Sequence, residues 1–140
     1  MCRTILVVIE CGDTPRAMEL SCAIAGFSDG RLVLCHVVDI QAALMAASYT
    51  GIDPRPAISA RRDAGAEALR QASARAQRAC VRSTSVLLVG DPCVTIGDAV
   101  RAHKVDLIVV SRAPGTMRSD DTRNASRLVR TVGKPVLIVP

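Results

Sequence analysis

At 140 residues with 49% hydrophobic residues, the chain can bury a core without disulfides or metals, and we expect one domain over residues 1–140. Its longest apolar runs are far shorter than a membrane span, and its start has no features of a signal peptide, so a cytoplasmic protein without a membrane partner is expected. The net charge of +5 permits attraction to anions, but one phenylalanine and one tyrosine argue against stacking on single-stranded nucleic acid.

The first predicted elements are a strand and a helix. Residues 4–9 form a continuous apolar run, which is typical of a strand buried on both faces. A helix is predicted to begin at Pro15, with Asp13 or Thr14 as its cap, and to end at the turn of residues 28–30. Its predicted apolar face comprises Ala17, Leu20, Ala23, Ile24 and Phe27.

The next segments are a strand, an irregular stretch and a long helix. Arg31–Val38 is the second predicted strand. Residues 39–57 contain small residues and prolines, and they predict an excursion with a short helical turn at residues 40–47. The alanine- and arginine-rich residues 58–80 predict a long helix. Its arginines are predicted to form a solvated face comprising Arg61, Arg62, Arg70, Arg75 and Arg78.

The remaining chain continues the alternation of strands and helices. Strands are predicted at residues 83–89, 105–110 and 135–140, with helices at residues 94–103 and 125–132. This order predicts an α/β fold, a three-layer doubly wound parallel sheet with right-handed crossovers. Ligands bind beyond the carboxyl ends of the strands in such sheets, which makes the predicted loop of residues 112–121 a candidate site.

Six cysteines are spread along the chain without a CxxC pair or a metal-ligand spacing, so neither a disulfide framework nor a metal site is predicted. Cys22 and Cys35 lie in apolar segments and are predicted core residues. Cys11 follows the first strand beside a helix start, and we expect an ordinary loop thiol there. The alternative is a redox-sensing thiol, because a helix start makes a thiol more reactive. Cys93 has the same placement at a later helix start. His36 is expected to be a histidine satisfied by hydrogen bonds.

The sequence lacks the motifs of several nucleotide-binding and signalling families. The GxxxxGK[ST] loop is absent, and residues 10–15 after the first strand contain one glycine where GxGxxG would need three. A receiver domain would need a lysine after the last strand, whereas Lys134 precedes it. The sequence shows no catalytic constellation, so we expect a protein that is not an enzyme.

The chain resembles the universal stress protein family over essentially its whole length. Residues 3–10 and 32–39 are similar to the first two strands of that family, and Gly90-Asp-Pro92 is similar to the turn after its third. Residues 105–110 and 134–140 are similar to its last two strands. The resemblance implies a five-stranded parallel sheet of order 3-2-1-4-5 and a homodimer formed through the last strand. The predicted dimer strand comprises Val136, Leu137, Ile138 and Val139, an apolar edge that needs covering.

The nucleotide loop of that family is degenerate in this chain. The ATP-binding branch carries GxxG, nine residues and G[ST], where glycines let backbone amides approach phosphates. Here Ser111-Arg-Ala-Pro114 stands in place of GxxG, and Pro114 has no amide hydrogen. Thr122-Arg123 stands in place of G[ST], about two residues too early, and Gly115 remains as the glycine of this loop. Glu10 replaces the aspartate that the resemblance leads one to expect.

We therefore expect a stress-response regulatory or binding module that does not bind ATP in the usual mode, needs no cofactor and acts through unidentified protein partners. The alternative is a protein that binds ATP or AMP, with at most weak ATP hydrolysis, through a remodelled loop in which arginines replace amides as phosphate contacts. Solvated loop charges are the competing interpretation of those arginines. The candidate nucleotide cleft comprises Glu10, Cys11, Val38, Ser111, Arg112, Gly115, Thr122 and Arg123.

Overall fold

The computed structural model describes residues 3–11, 15–111 and 119–140. Within these ranges, five parallel strands form one sheet of order β3-β2-β1-β4-β5, which confirms the predicted α/β fold and strand order. The strands are β1 (Thr4–Val8), β2 (Arg31–Val38), β3 (Arg82–Val89), β4 (Leu107–Ser111) and β5 (Val136–Val139). The helices are α1 (Pro15–Ser28), α2 (Ile40–Thr50), α3 (Arg55–Arg78), α4 (Pro92–His103) and α5 (Ser119–Val132).

The apolar run of β1 is buried because helices cover both faces of the sheet. Ile5 and Val7 belong to a core with residues of α1 and α3, while Leu6 and Val8 belong to a second core with residues of α4 and α5. Every residue of β1 is buried. Side chains that alternate between two packed layers explain why this strand is continuously apolar rather than alternating.

The buried face of α1 differs from the predicted one. Leu20 is exposed, and Phe27 is 96% exposed. The residues that pack on the sheet are smaller on average: Ala17, Met18, Ser21 and Ala25. Small side chains let the helix backbone approach the sheet closely. This close approach, and not the size of the apolar side chains, determines which face of α1 is buried. The predicted caps Asp13 and Thr14 lie outside the described residues.

The irregular stretch is more helical than predicted. Helix α2 runs from Ile40 to Thr50, because the side chain of Asp39 accepts a hydrogen bond from the backbone N–H of Gln41 at 3.0 Å and Gly51 ends the helix at φ 70°. Helix α3 begins at Arg55 rather than at residue 58. Five arginines of this helix were predicted to form a solvated face. Four of them are exposed and Arg75 is half-buried, so this face is mostly solvated.

The last two helices also begin before their predicted positions. Asp91 caps α4, since its carboxylate accepts hydrogen bonds from the N–H groups of Cys93 and Val94 at 2.9 and 3.3 Å. Helix α5 begins at Ser119 rather than at residue 125, in a Ser-Asp-Asp segment of the residue types that favour a helix start. No helix within the described ranges is long and apolar enough to cross a membrane.

Candidate functional site

The order of the strands creates a switch point between β1 and β4. From β1 the chain proceeds outward through β2 to β3, whereas β4 lies on the other side of β1 and is followed by β5. At the carboxyl end, Val8 pairs with Cys35 of β2 and with Val110 of β4. Open α/β sheets bind ligands in the crevice at such a position. The candidate cleft therefore lies beyond Ile9 and Ser111.

On one side of this crevice, the strands β2 and β3 extend further than β1 does. Strand β2 continues three residues past the partner of Val8, to Val38, which pairs with Val89 of β3. At about 3.3 Å per residue, β2 and β3 extend about 10 Å beyond the end of β1. Gly90 N–H donates to the carbonyl of Val38 at 3.1 Å and fixes the end of this wall. The side chain of Val38, a predicted cleft residue, is 2% exposed and lies in the core.

Glu10 and Cys11 lie two and three residues beyond the end of β1, and both are exposed. Burial raises the pKa of the neighbouring Cys35 thiol to about 12, and the negative charge of Glu10 contributes in the same direction. Cys35 is therefore a protonated core residue, as predicted. Glu10 places a carboxylate at the mouth of the crevice, close enough to act on β2.

Ser111 is the cleft residue at the end of β4. Its Oγ atom is buried, and it has no hydrogen-bond partner within the described part of the chain. A buried hydroxyl without a partner costs about 1–3 kcal/mol, which native proteins usually avoid. The switch point thus contains a polar atom that a ligand oxygen or a water molecule would satisfy.

The four remaining candidate residues belong to the segment after β4. Arg112 and Gly115 lie outside the described residues. Thr122 and Arg123 lie in the backbone of α5, which begins at Ser119. The prediction of a loop extending to residue 121 is therefore wrong, because the helix begins earlier and leaves a shorter connection from β4.

The contact between His36 and Gly65 was not predicted from the sequence. The Nδ1 atom of His36 lies 2.6 Å from the carbonyl oxygen of Ile9, which confirms a hydrogen-bonded histidine. A Cβ atom on Gly65 of α3 would lie 2.2 Å from Cδ2 of the same ring. A glycine in the middle of an alanine-rich helix was the available signal, because such a glycine is unfavourable unless another group needs its space.

The ring of His36 also faces Cys11. Its Nε2 atom lies 4.0 Å from the Sγ atom of Cys11. The other described cysteines differ from Cys11 in exposure or surroundings. Burial raises the pKa of both Cys22 and Cys93, and the buried position of Cys93 removes it as an accessible thiol at a helix start. Cys80 is exposed in the turn after α3.

The comparison with protein families gives one match that spans the chain. The model of the Universal stress protein family matches residues 1–140. The chain belongs to the universal stress protein family. The family membership confirms the resemblance drawn from the five strand segments. A comparison with curated proteins gave no match.

Solved universal stress proteins share the fold. A family member from Burkholderia pseudomallei is 29% identical, with a TM-score of 0.77 and coverage of 98% of this chain and 95% of that one. UspA from Lactobacillus plantarum is 22% identical, with a TM-score of 0.79 and coverage of 99% and 97%. A family protein from Arabidopsis thaliana, solved with AMP bound, is 21% identical, with a TM-score of 0.66 and coverage of 98% and 90%.

Proposed function

We propose that the protein is a stress-response regulatory module that does not hold the phosphates of ATP in the usual mode of the ATP-binding family members. The observation that carries the proposal is the sequence Ser111-Arg-Ala-Pro114, which replaces both glycines of the expected GxxG segment. Glycines allow phosphates to come close to backbone amides, whereas neither position is a glycine in this chain, and proline has no amide hydrogen to donate. We therefore expect the backbone of this segment to hold the outer phosphates of ATP less tightly than a GxxG segment does.

The surroundings of the loop support the same proposal. Glu10 is longer by one methylene than the expected aspartate, and it is exposed at the mouth of the crevice. The longer side chain places its carboxylate differently from that of an aspartate, which argues against the usual contacts with the nucleotide. We propose binding to protein partners in the cytoplasm as the activity, with at most weak ATP hydrolysis. The free thiols of the five described cysteines favour a reducing compartment.

A homodimer through β5 is part of this proposal. Strand β5 pairs with β4 and, within the described residues, with no other strand. Ile138 of this edge is 48% exposed, although Val139 is buried. An exposed apolar edge strand is an aggregation hazard that a second copy would cover. Light scattering at micromolar concentration should give the mass of a dimer, and a monomeric mass would contradict this part of the proposal.

Calorimetric titration with ATP and magnesium tests the loss of phosphate binding. We expect no binding tighter than about 10 μM, which corresponds to roughly −7 kcal/mol. The matched variants are Arg112→Ala in the loop and Arg62→Ala on the exposed face of α3. ATP binding tighter than this limit that is weakened by Arg112→Ala, but not by Arg62→Ala, would overturn the proposal.

The second candidate is binding of an adenine nucleoside monophosphate. It is favoured by the Oγ atom of Ser111 at the switch point, which has no hydrogen-bond partner among the described residues, together with the AMP bound in the structure of the Arabidopsis relative. In this candidate, a nucleotide oxygen pairs with Ser111, and Arg112 or Arg123 contacts the single phosphate. AMP should then bind measurably, and Ser111→Ala should weaken it by about 3- to 10-fold, the loss of one hydrogen bond. Unchanged AMP affinity in Ser111→Ala would contradict the role of the hydroxyl.

A further inference from the structure

Cys11 and His36 form a pair in which an exposed thiol faces a buried imidazole. The Sγ atom of Cys11 is 4.0 Å from the Nε2 atom of His36. Cys11 is exposed, whereas His36 is only 6% exposed and is enclosed by the sheet and α3. A reagent from solvent can therefore reach the sulfur atom, while the ring that faces it is held by the protein. This combination distinguishes Cys11 from Cys80, the exposed cysteine after α3.

The hydrogen bond to Ile9 determines which nitrogen of His36 carries the proton. A backbone carbonyl oxygen can only accept, so the Nδ1 atom, 2.6 Å from the oxygen of Ile9, must be the donor. In the neutral ring, Nε2 is then left with a free lone pair. That lone pair lies on the side of Cys11, where it can accept the proton of the thiol.

The position of the ring is fixed by packing as well as by the hydrogen bond. The ring lies against Gly65, where a side chain would overlap it: a Cβ atom would be 2.2 Å from Cδ2 and 2.7 Å from Nε2. The backbone N–H of Ile9 donates to the carbonyl of Cys35 at 2.7 Å, which ties the acceptor of the histidine to β2. A nucleophile, a base within reach of it and a group that orients the base are the parts of an activated nucleophile.

We propose that Cys11 is a nucleophilic thiol, activated by His36, that exchanges with small-molecule disulfides. His36 Nε2 takes the proton from the Cys11 thiol, and the sulfur attacks one sulfur of the disulfide. A bond forms between Cys11 Sγ and that sulfur, the original S–S bond breaks, and the leaving thiolate takes the proton from His36. The products are a mixed disulfide at Cys11 and one small-molecule thiol, and no other oxidant is needed.

This proposal is independent of nucleotide binding, since it uses the thiol and the imidazole alone. It implies a reversible covalent modification at the end of β1, beside the switch point. An attached group would occupy the mouth of the crevice and change the surface that a ligand or partner meets.

The test uses 2-hydroxyethyl disulfide, a neutral aliphatic disulfide, with the full-length protein at pH 7 and site-resolved mass spectrometry of each cysteine. Cys11 should form the mixed disulfide at least about tenfold faster than Cys80, because an unassisted thiol is only a few per cent thiolate at this pH. Equal rates at Cys11 and Cys80 in the unmodified protein would overturn the proposal, whatever any variant does.

His36→Asn separates the base from the hydrogen bond. An asparagine amide can still donate to the carbonyl of Ile9, but it has no basic nitrogen at the Nε2 position. We expect the rate at Cys11 to fall to within about threefold of the rate at Cys80, with Cys80 itself unchanged. A folded His36→Asn protein that keeps the fast rate at Cys11 would contradict the role of His36.

A second disulfide reagent tests whether His36 returns the proton to the leaving thiolate. An aromatic disulfide releases a stable thiolate that needs no proton, so the loss caused by His36→Asn should be smaller with an aromatic disulfide than with 2-hydroxyethyl disulfide. Equal losses with the two reagents would overturn the proton-return step.

Discussion

The two sides of the switch point are built differently. On the side of β1 and β2, Ile9 donates to Cys35 and accepts from His36, and the ring of His36 packs against Gly65. On the side of β4, the Oγ atom of Ser111 is buried without a partner within the described residues. One side is satisfied by the protein itself, whereas the other contains a polar group that a ligand or water would complete.

Because the two sides differ in this way, we expect substitutions on one side to change stability and substitutions on the other side to change ligand binding. Substitutions on the side of β1 and β2 should reduce the free energy of unfolding, because they remove contacts that the folded chain makes within itself. A substitution at Ser111 should instead change the affinity for a ligand and leave the unfolding free energy nearly unchanged.

The largest effect is expected for His36→Ala. The substitution removes a buried ring and leaves the carbonyl oxygen of Ile9 without its 2.6 Å partner. The combined loss of packing and of a buried hydrogen bond should lower the free energy of unfolding by about 2–4 kcal/mol. Urea unfolding followed by circular dichroism measures this quantity. A change below about 0.5 kcal/mol would mean that the histidine does not hold the end of β1.

The second effect is a dependence of stability on alkaline pH. The native pKa of Cys35 is raised to about 12, above the ordinary value of 9.0, so the folded state retains a proton that the unfolded state loses. The stabilising contribution is complete below pH 9 and falls as the pH rises toward 12, by up to about 1.4 kcal/mol per pH unit. Unfolding curves of the native protein and Cys35→Ala between pH 8 and about 11 should differ by this slope. Parallel curves would contradict burial of a protonated thiol.

The third effect compares two glycines in helices. Gly65→Ala forces a methyl group into the ring of His36, whereas Gly26→Ala in α1 meets nothing within 4 Å. Gly65→Ala should destabilise the protein by about 1–3 kcal/mol despite the better helix propensity of alanine, and Gly26→Ala should stabilise it by about 0.5–1 kcal/mol. Thermal unfolding of both variants measures the difference. Stabilisation of the protein by both substitutions would show that the ring of His36 yields to Gly65→Ala without cost.

The smallest effect is expected for Ser111→Ala without ligand. Removing a buried hydroxyl that has no partner among the described residues relieves a desolvation cost, so the unfolding free energy should stay within about 1 kcal/mol and not fall. Chemical denaturation gives the value. A loss of more than 1 kcal/mol would show that the hydroxyl already has a partner, and the contrast between the two sides of the crevice would be lost.

The strands could be predicted closely because continuous apolar runs identify buried parallel strands. Strand β2 has the predicted bounds, Arg31–Val38, and β3 begins one residue earlier than predicted. The buried face of α1 could not be read from apolar size, because Ala17 and Ser21 pack on the sheet while Phe27 is exposed. Local periodicity ranks residues by hydrophobicity, but it does not show how near a helix backbone comes to the sheet.

The candidate site was predicted less completely than the fold. The ends of β1 and β4 lie within one residue of their predicted positions. The start of α5 at Ser119 was missed because residues 119–124 have little apolar periodicity. The contact of His36 with Gly65 joins β2 to α3, and no local pattern reports a contact between residues so far apart in the chain. Only the unfavourable placement of a glycine inside a helix hinted at it.

The most direct test of the proposed loss of phosphate binding is the difference between the affinities for ATP and AMP, measured by calorimetry with magnesium under identical conditions. If Ser111-Arg-Ala-Pro114 no longer holds the outer phosphates, ATP should bind less than about tenfold more tightly than AMP, a difference below about 1.4 kcal/mol, or neither should bind. ATP binding below about 10 μM and more than tenfold tighter than AMP would show that the β- and γ-phosphates are still held, and would contradict the proposed function.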